Sequence, residues 1–339
     1  MKVDFFASER HYADHLAPVF RELGPRAGFF FVSSHDHEYM EKKHGIISFM
    51  LAGEKANSVF QSTDPILVAS HSDLRTVYTS NPKKAIILME HGVGIVYPGN
   101  GSYAGNGGFR RYASLTLAPN EIVREKTAKA LPDMLQVVIG TPKLDKWADS
   151  YMENKVIPSN PTVAISFHWD GKAVAPEAGT AFEHFKEVLP RLCSTLEESR
   201  RVRLIAHSHP RAAGIVKPFY KKHGIEFIDD FDEVMRRSHL YICDNSSTIY
   251  EFLVTGFPVI MLNSPAYRRD FKSGIRFWDY TDIGTQVDKS GDLFREVLIS
   301  LTFPDHHKTA RKRAMEDLFP HFGNSARTAA RAILEKFGN

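Results

Sequence analysis

The chain is short of cysteine and of any excess charge, and each shortage excludes something. Only two cysteines, Cys193 and Cys243, occur in 339 residues, both inside apolar segments. That excludes a disulfide-stapled scaffold and makes a reduced, cytoplasmic chain the expectation. Forty-three Lys and Arg against 40 Asp and Glu leave a net charge of +3, too even for a dedicated nucleic-acid binder. No nucleic-acid partner is therefore expected. No apolar run approaches the ~18 residues that a spanning helix requires. The segment Met1–Ala7 leads straight into Ser8-Glu-Arg with no apolar h-region, so a signal peptide is not expected. Neither half opens with Gly-x-Gly-x-x-Gly, and Gly-x-x-x-x-Gly-Lys-Ser/Thr is absent, which argues against dinucleotide and P-loop enzymes.

What is present is a globular composition, 43% hydrophobic and 24% charged, in a chain long enough for two domains. Short apolar runs alternate with amphipathic segments, the pattern of parallel sheets wrapped by helices. Strands are expected at Val3–Phe6, Gly28–Val32, Ile66–Ala69, Ala85–Met89 and Val137–Ile139. The plan then repeats with strands at Val163–Phe167, Arg203–Ala206, Glu226–Ile228, Leu240–Cys243 and Val259–Leu262. Helices are expected at His11–Leu23, Gly179–Leu196, Asp232–Ser238, Thr248–Thr255 and Ser325–Lys336. The polar stretch Asp145–Pro161 marks the boundary. The resulting expectation is an α/β chain of two doubly wound Rossmann-like domains, 1–150 and 151–324, facing across a cleft. A last helix, 325–339, packs back on the first domain.

Three segments can carry chemistry. In Leu240-Tyr-Ile-Cys-Asp-Asn-Ser-Ser-Thr, a buried strand ends at Asp244, and Asn245, Ser246, Ser247 and Thr248 form a turn into a helix. Hydroxyls and backbone N–H groups there suit a diphosphate, and Glu251, one turn on, suits the hydroxyls of a ribose. Helix capping is the plainer reading of the same residues. In Arg203-Leu-Ile-Ala-His-Ser-His-Pro-Arg, His207, His209 and Arg211 emerge at a strand end, where imidazole and guanidinium can hold a phosphate. A polar surface turn is the alternative. In Ala85-Ile-Ile-Leu-Met-Glu-His-Gly, Glu90, His91 and Gly92 stand where a general base belongs. The glycine-rich stretch behind them reads as a lid over an acceptor, with Arg110 and Arg111 at its base, or as a plain connector.

Three further patterns carry less. Asp230-Phe-Asp232 looks like a metal-binding Asp-x-Asp, but Asp232 reads as a helix N-cap. His35-Asp-His37 reads as a solvated loop. The basic stretch Lys308–Arg313 reads as an exposed helix face able to touch anionic lipid.

In this order, the segments resemble the CDP-glycerol glycerophosphotransferase family, the teichoic-acid primases and polymerases of GT-B architecture. The matching pieces are Glu90-His-Gly-Val-Gly, Ile139-Gly-Thr-Pro-Lys-Leu-Asp145, His209-Pro210, Asp229-Asp-Phe-Asp-Glu-Val-Met and Asp244-Asn-Ser-Ser-Thr through Gly256-Phe-Pro-Val-Ile. Phe322-Gly-Asn-Ser-Ala-Arg resembles the closing segment. The chain departs from the family at Val93, where a Pro usually follows His-Gly, and at His207, where a basic residue is common. The resemblance implies that His91 is the base on an acceptor hydroxyl, and that His209, Ser246 and Ser247 hold the phosphates of a CDP-linked donor. It implies transfer of a polyol phosphate without metal or cofactor. The acceptor would be a hydroxyl-bearing glycan or lipid-linked molecule of teichoic acid or capsule synthesis, met in the cytoplasm or peripherally at the inner face of the membrane. The alternatives are a GT-B sugar transferase or sugar-nucleotide epimerase using a UDP-sugar, and a non-catalytic nucleotide- or polymer-binding module.

Overall fold

The structure, a computed structural model, describes residues 1–33, 36–50, 60–93, 108–151, 155–170, 179–244, 246–265 and 280–338, without the side chains of residues 199 and 200. These divide into two compact units, one drawn from Met1–Gly94, Asn100–Asp149 and Glu316–Asn339, the other from Ser150–Met315.

The first unit runs β1 (Val3–Ala7), α1 (Arg10–Leu23), β2 (Ala27–Val32), β3 (Phe49–Met50), β4 (Ile66–Val68), α2 (His71–Ser80), β5 (Ile86–Met89), β6 (Leu115–Ala118), α3 (Glu121–Ala130) and β7 (Gln136–Val138). Its seven strands are all parallel, in the order β3-β2-β1-β4-β5-β6-β7. Both faces of such a sheet are covered, so its central strands read as near-continuous apolar runs rather than alternating. Strand β1 is VDFFA and buried at every position. From β1 the chain builds outward to one side, then returns to build outward from β4. The crevice at the C-terminal ends of β1 and β4 is thus this unit's topological switch point.

The second unit runs β8 (Thr162–Phe167), α4 (Leu189–Arg200), β9 (Arg203–Ser208), α5 (Ala213–Lys222), β10 (Glu226–Phe227), α6 (Phe231–Arg237), β11 (Leu240–Cys243), α7 (Thr248–Phe252), β12 (Val259–Leu262), β13 (Thr285–Val287) and α8 (Leu293–Thr302). Its six parallel strands are ordered β10-β9-β8-β11-β12-β13, which puts the switch point between β8 and β11. The chain leaves this unit along α9 (Lys308–Leu318) and closes with α10 (Ser325–Phe337) in the first unit.

Helix α10 lays Ala329, Ala330 and Ile333 into the core that α1 fills with Leu16, Ala17 and Val19. Burying Ile333 fully contributes roughly 1.5–3 kcal/mol. Its free N-terminal amides are met by Asp145, whose carboxylate accepts from Gly323 N (3.1 Å), Ser325 N (3.0 Å) and Ala326 N (2.7 Å). Gly140 adopts φ 86°, and a Cβ there would lie 2.2 Å from the Pro320 carbonyl oxygen. The segment Ile139–Asp145 and the closing segment are therefore halves of one packing joint.

Several sequence expectations shift. The helix expected over Gly179–Leu196 is a short helix at Phe182–Phe185, a 3-10 turn, and then α4, because Pro190 has no N–H to continue the ladder. Asp230 rather than Asp232 caps α6, accepting from Asp232 N at 3.1 Å. Asp36 is 7% exposed rather than solvated, and accepts from Arg10 Nε (2.7 Å) and Ser33 Oγ (2.9 Å). His35 lies outside the described residues, and His37 pairs with Ser48. The basic face of α9 is only partly outward: Arg311 is buried and donates to the Pro304 carbonyl at 2.6 Å. No helix among the described residues is long and apolar enough to cross a membrane.

Candidate active site

At the end of β5 the chain delivers Glu90 and His91 in succession, and extended backbone sends neighbouring side chains to opposite sides. Glu90 is buried and takes the Arg110 guanidinium, with Nε to Oε1 at 2.7 Å. Arg110 thus serves Glu90, and Arg111 is exposed with Nε on the Gly108 carbonyl at 3.0 Å. His91 turns the other way, and its Nδ1 lies 2.7 Å from the Ala69 carbonyl oxygen at the end of β4. A carbonyl only accepts, so Nδ1 carries the proton, and in the neutral ring the lone pair is on Nε2. That is the form of imidazole that removes a proton. Gly92 follows with φ 69°, and the Val93 carbonyl is held by Asn120 Nδ2 at 3.2 Å. Asn120 also caps α3 by accepting from Val123 N. The glycine-rich stretch through residue 107 lies outside the described residues.

Around His91 stands a group of rings from the first turns of α1, which starts at the switch point. Tyr12 is 4.8 Å from the His91 ring centroid, His11 5.8 Å and His15 6.2 Å. Burial, with Lys143 and His91 nearby, holds the His15 pKa well below its usual value, so this ring stays neutral. Across the crevice edge, Asp73 is fully buried near the start of α2, accepting the Ser8 N–H at 3.2 Å. Desolvation raises its pKa to about 6 against the pull of its Ser8 and Ser70 bonds. Sequence reasoning did not single out these residues. The signals were there: His11 and His15 are one turn apart on a helix, and Ser70-x-x-Asp73 is a capping pattern. Ser70 Oγ indeed accepts from Asp73 N at 3.0 Å.

The second unit's switch point is organised by Asp244, which is fully buried at the end of β11. Its carboxylate accepts from His168 N (2.7 Å), Ala181 N (2.8 Å) and Thr180 Oγ1 (3.0 Å), tying the exit of β8 to the exit of β11. Asp244 is therefore a scaffold for this edge. Ser246 is also buried, accepting from Thr248 Oγ1 at 2.8 Å. Thr248 in turn pairs with Tyr241. Ser247 stands at the N-cap of α7, and its side chain makes no capping bond. Bonds from the Thr248 N–H (3.4 Å) and hydroxyl thus account for Ser246, and capping does not account for Ser247. Helix α7 has five residues before a 3-10 turn ending at Gly256 (φ 78°), so its dipole is weaker than that of the longer helix expected. Glu251 is buried in α7, and Asn245 lies outside the described residues.

Alternation would put His207 and His209 on one face, but β9 ends at Ser208 and His209 already heads the 3-10 turn Pro210–Ala212, so the two part. His207 is not with the donor-side groups. It is 6% exposed, donates Nδ1–H to the Ile228 carbonyl at 2.8 Å, and packs against Phe231. His209 is half-buried at the edge, and its Nδ1 accepts the Arg211 N–H at 3.1 Å. In the neutral ring the proton is then on Nε2, which makes His209 a hydrogen-bond donor. His168 lies 5.1 Å behind it, ring to ring, and donates Nδ1–H to the Trp169 carbonyl. Burial lowers the His168 pKa to about 4. The exposed Arg211 guanidinium stands 5.3 Å over the Trp169 ring.

No protein-family model matches the chain, and no curated protein matches it in sequence. Solved structures do match over its whole length. The UDP-GlcNAc 2-epimerase of Neisseria meningitidis, bound to UDP-GlcNAc, superposes with a TM-score of 0.65 at 13% identity, covering 99% of this chain and 100% of that one. The S. aureus MnaA–UDP complex superposes with a TM-score of 0.63 at 15% identity, covering 100% and 97%. A variant of the wall teichoic acid polymerase TagF, soaked with CDPG, superposes with a TM-score of 0.70 at 13% identity, covering 98% and 88%. The fold is thus GT-B, the α/β class of these enzymes.

Proposed function

We propose that this chain is a GT-B enzyme acting on a nucleotide-activated donor, and that it moves a polyol phosphate from a CDP-linked donor to a hydroxyl acceptor. The observation that carries this reading is the opposite protonation of two histidines at strand ends: His91 offers a lone pair at Nε2, and His209 offers an N–H there. Transfer to a hydroxyl needs one of each. His91 Nε2 takes the acceptor proton while the acceptor oxygen attacks the donor's β-phosphorus. The bond from that phosphorus to the bridging oxygen breaks, and CMP leaves with the bond's electron pair. His209 Nε2–H, the Ser247 hydroxyl and Arg211 hydrogen-bond the diphosphate and offset its growing charge. These fixed donors are the reason the proposed chemistry calls for no metal. The acceptor is a hydroxyl-bearing glycan or lipid-linked molecule of surface-polymer synthesis, in the cytoplasm or at the membrane's inner face.

A second reading, a UDP-sugar epimerase or transferase, is favoured by the full-length superposition on two proteins whose structures hold UDP-GlcNAc or UDP. Thermal midpoints with CDP-glycerol, CMP, UDP-glucose and UDP separate the two, because a ligand bound only by the folded state raises stability. The first reading predicts selective stabilisation by the cytidine ligands. Selective stabilisation by uridine ligands would replace it with the second.

A further inference from the structure

The donor-side edge holds an aromatic ring that the proposed phosphate chemistry does not use, beside a guanidinium that it does. Trp169 follows β8 with its indole half-buried, and the Arg211 guanidinium stands 5.3 Å over the ring. Both are held by the elements that position the phosphate-binding groups. The His168 amide is tied to Asp244 at 2.7 Å, and the His168 ring donates to the Trp169 carbonyl at 2.9 Å. Arg211 sits in the turn that its own N–H closes onto His209 Nδ1. The indole and His209 ring centroids are 6.2 Å apart, so a ligand whose phosphate meets His209 brings its base within reach of the indole.

We infer that Trp169, with Arg211, stacks the planar base of the donor nucleotide. The assignment rests on the donor-side reading above and adds to it the residue that recognises the nucleoside end. An indole under a guanidinium offers a π-face and a delocalised cation together, the combination that stacks nucleobases with little preference among them. The platform supplies affinity for any base, and selection of cytosine or uracil falls to other contacts. Its place beside the switch point between β8 and β11 matches where ligands of open α/β sheets lie.

The test is calorimetric titration of the full chain with CMP, UMP and ribose 5-phosphate, which keeps the phosphate and lacks the base. Trp169→Ala should weaken CMP and UMP by about tenfold, the scale of one base–aromatic stack, and leave ribose 5-phosphate unchanged. Trp169→Phe should keep most of the affinity. Trp169→Leu, which keeps apolar bulk but has no π-face, should behave like alanine and serves if the alanine variant does not fold. Equal weakening of ribose 5-phosphate, or undiminished CMP binding by the leucine variant, would overturn the stacking assignment alone. A wild-type chain that binds no nucleotide would overturn the donor reading and the stacking with it.

Discussion

The two units build the same edge twice and arm it differently. Each has a doubly wound parallel sheet with a switch point beside its first strand, and each places a histidine at a strand end within that edge. In the first unit a backbone carbonyl fixes the proton on His91 Nδ1, and in the second a backbone N–H fixes it on His209 Nε2. The carboxylates differ in the same way. Glu90 neutralises one arginine, whereas Asp244 joins three donors and fixes the loops around it. One edge is thereby suited to taking a proton and the other to giving hydrogen bonds. The lesson is that a histidine's role is set by which nitrogen the backbone claims, which no residue count reveals.

The sharpest way to break that comparison is to put the same amide in both places. A glutamine can donate a hydrogen bond but cannot serve as a base. His91→Gln should therefore lower turnover by about 10²–10⁴ with nucleotide affinity intact. His209→Gln should lower it less and weaken nucleotide binding, read by the same titration and turnover assays. Equal losses in both variants would erase the distinction. Next in size are the carboxylates. Glu90→Gln removes the buried carboxylate that the half-buried Arg110 guanidinium donates to and should cost about 3 kcal/mol in denaturant unfolding. Asp244→Asn presents an amide to three donors and should cost about 2 kcal/mol. A glutamine or asparagine chain as stable as wild type would remove that carboxylate from the scaffold.

The smallest effects are in pH, and they run in opposite directions. His168 has its folded pKa depressed to about 4, so its contribution to stability is present above the unfolded value near 6.5 and lost as pH falls through 4. Asp73 has its folded pKa raised to about 6, so its contribution is fully present below about 3.8 and lost as pH rises through 6. Between pH 4 and 6, acidification therefore weakens the protein through His168 and strengthens it through Asp73. Relative to wild type, His168→Gln should gain thermal midpoint as pH drops from 7 to 4.5, whereas Asp73→Asn should gain as it rises. Within that window each effect amounts to about 1.4 kcal/mol per pH unit. Parallel pH profiles for wild type and both variants would contradict the burial of these groups.

Much of this architecture was legible in the chain because parallel strands, buried on both faces, read as short apolar runs. Leu240–Cys243 and Val259–Leu262 stand where the sequence put them. The edge strands β3 and β13 were not legible, since two or three residues carry no period. Strand β6 was hidden because Leu-Thr-Leu-Ala offers only two large apolar side chains. Within the candidate site, local motifs showed which strand ends matter but not which way side chains turn. His207 was grouped with His209 although the strand ends between them and the His207 ring meets the Ile228 carbonyl, and Arg110 was read as an anion contact although Glu90 holds it. His15 and Trp169 were missed for another reason: each gains meaning from a partner distant in sequence, His91 for one and Arg211 for the other.

The most direct test of the account is product analysis after incubating the purified chain with CDP-glycerol and a hydroxyl acceptor, for wild type and His91→Ala. The account predicts CMP and glycerophosphorylated acceptor from wild type, and loss of both from a His91→Ala chain that still binds CMP. Undiminished CMP release by His91→Ala would contradict the assignment of the base. No CMP from CDP-glycerol, with turnover of a UDP-sugar instead, would contradict the transferase reading itself.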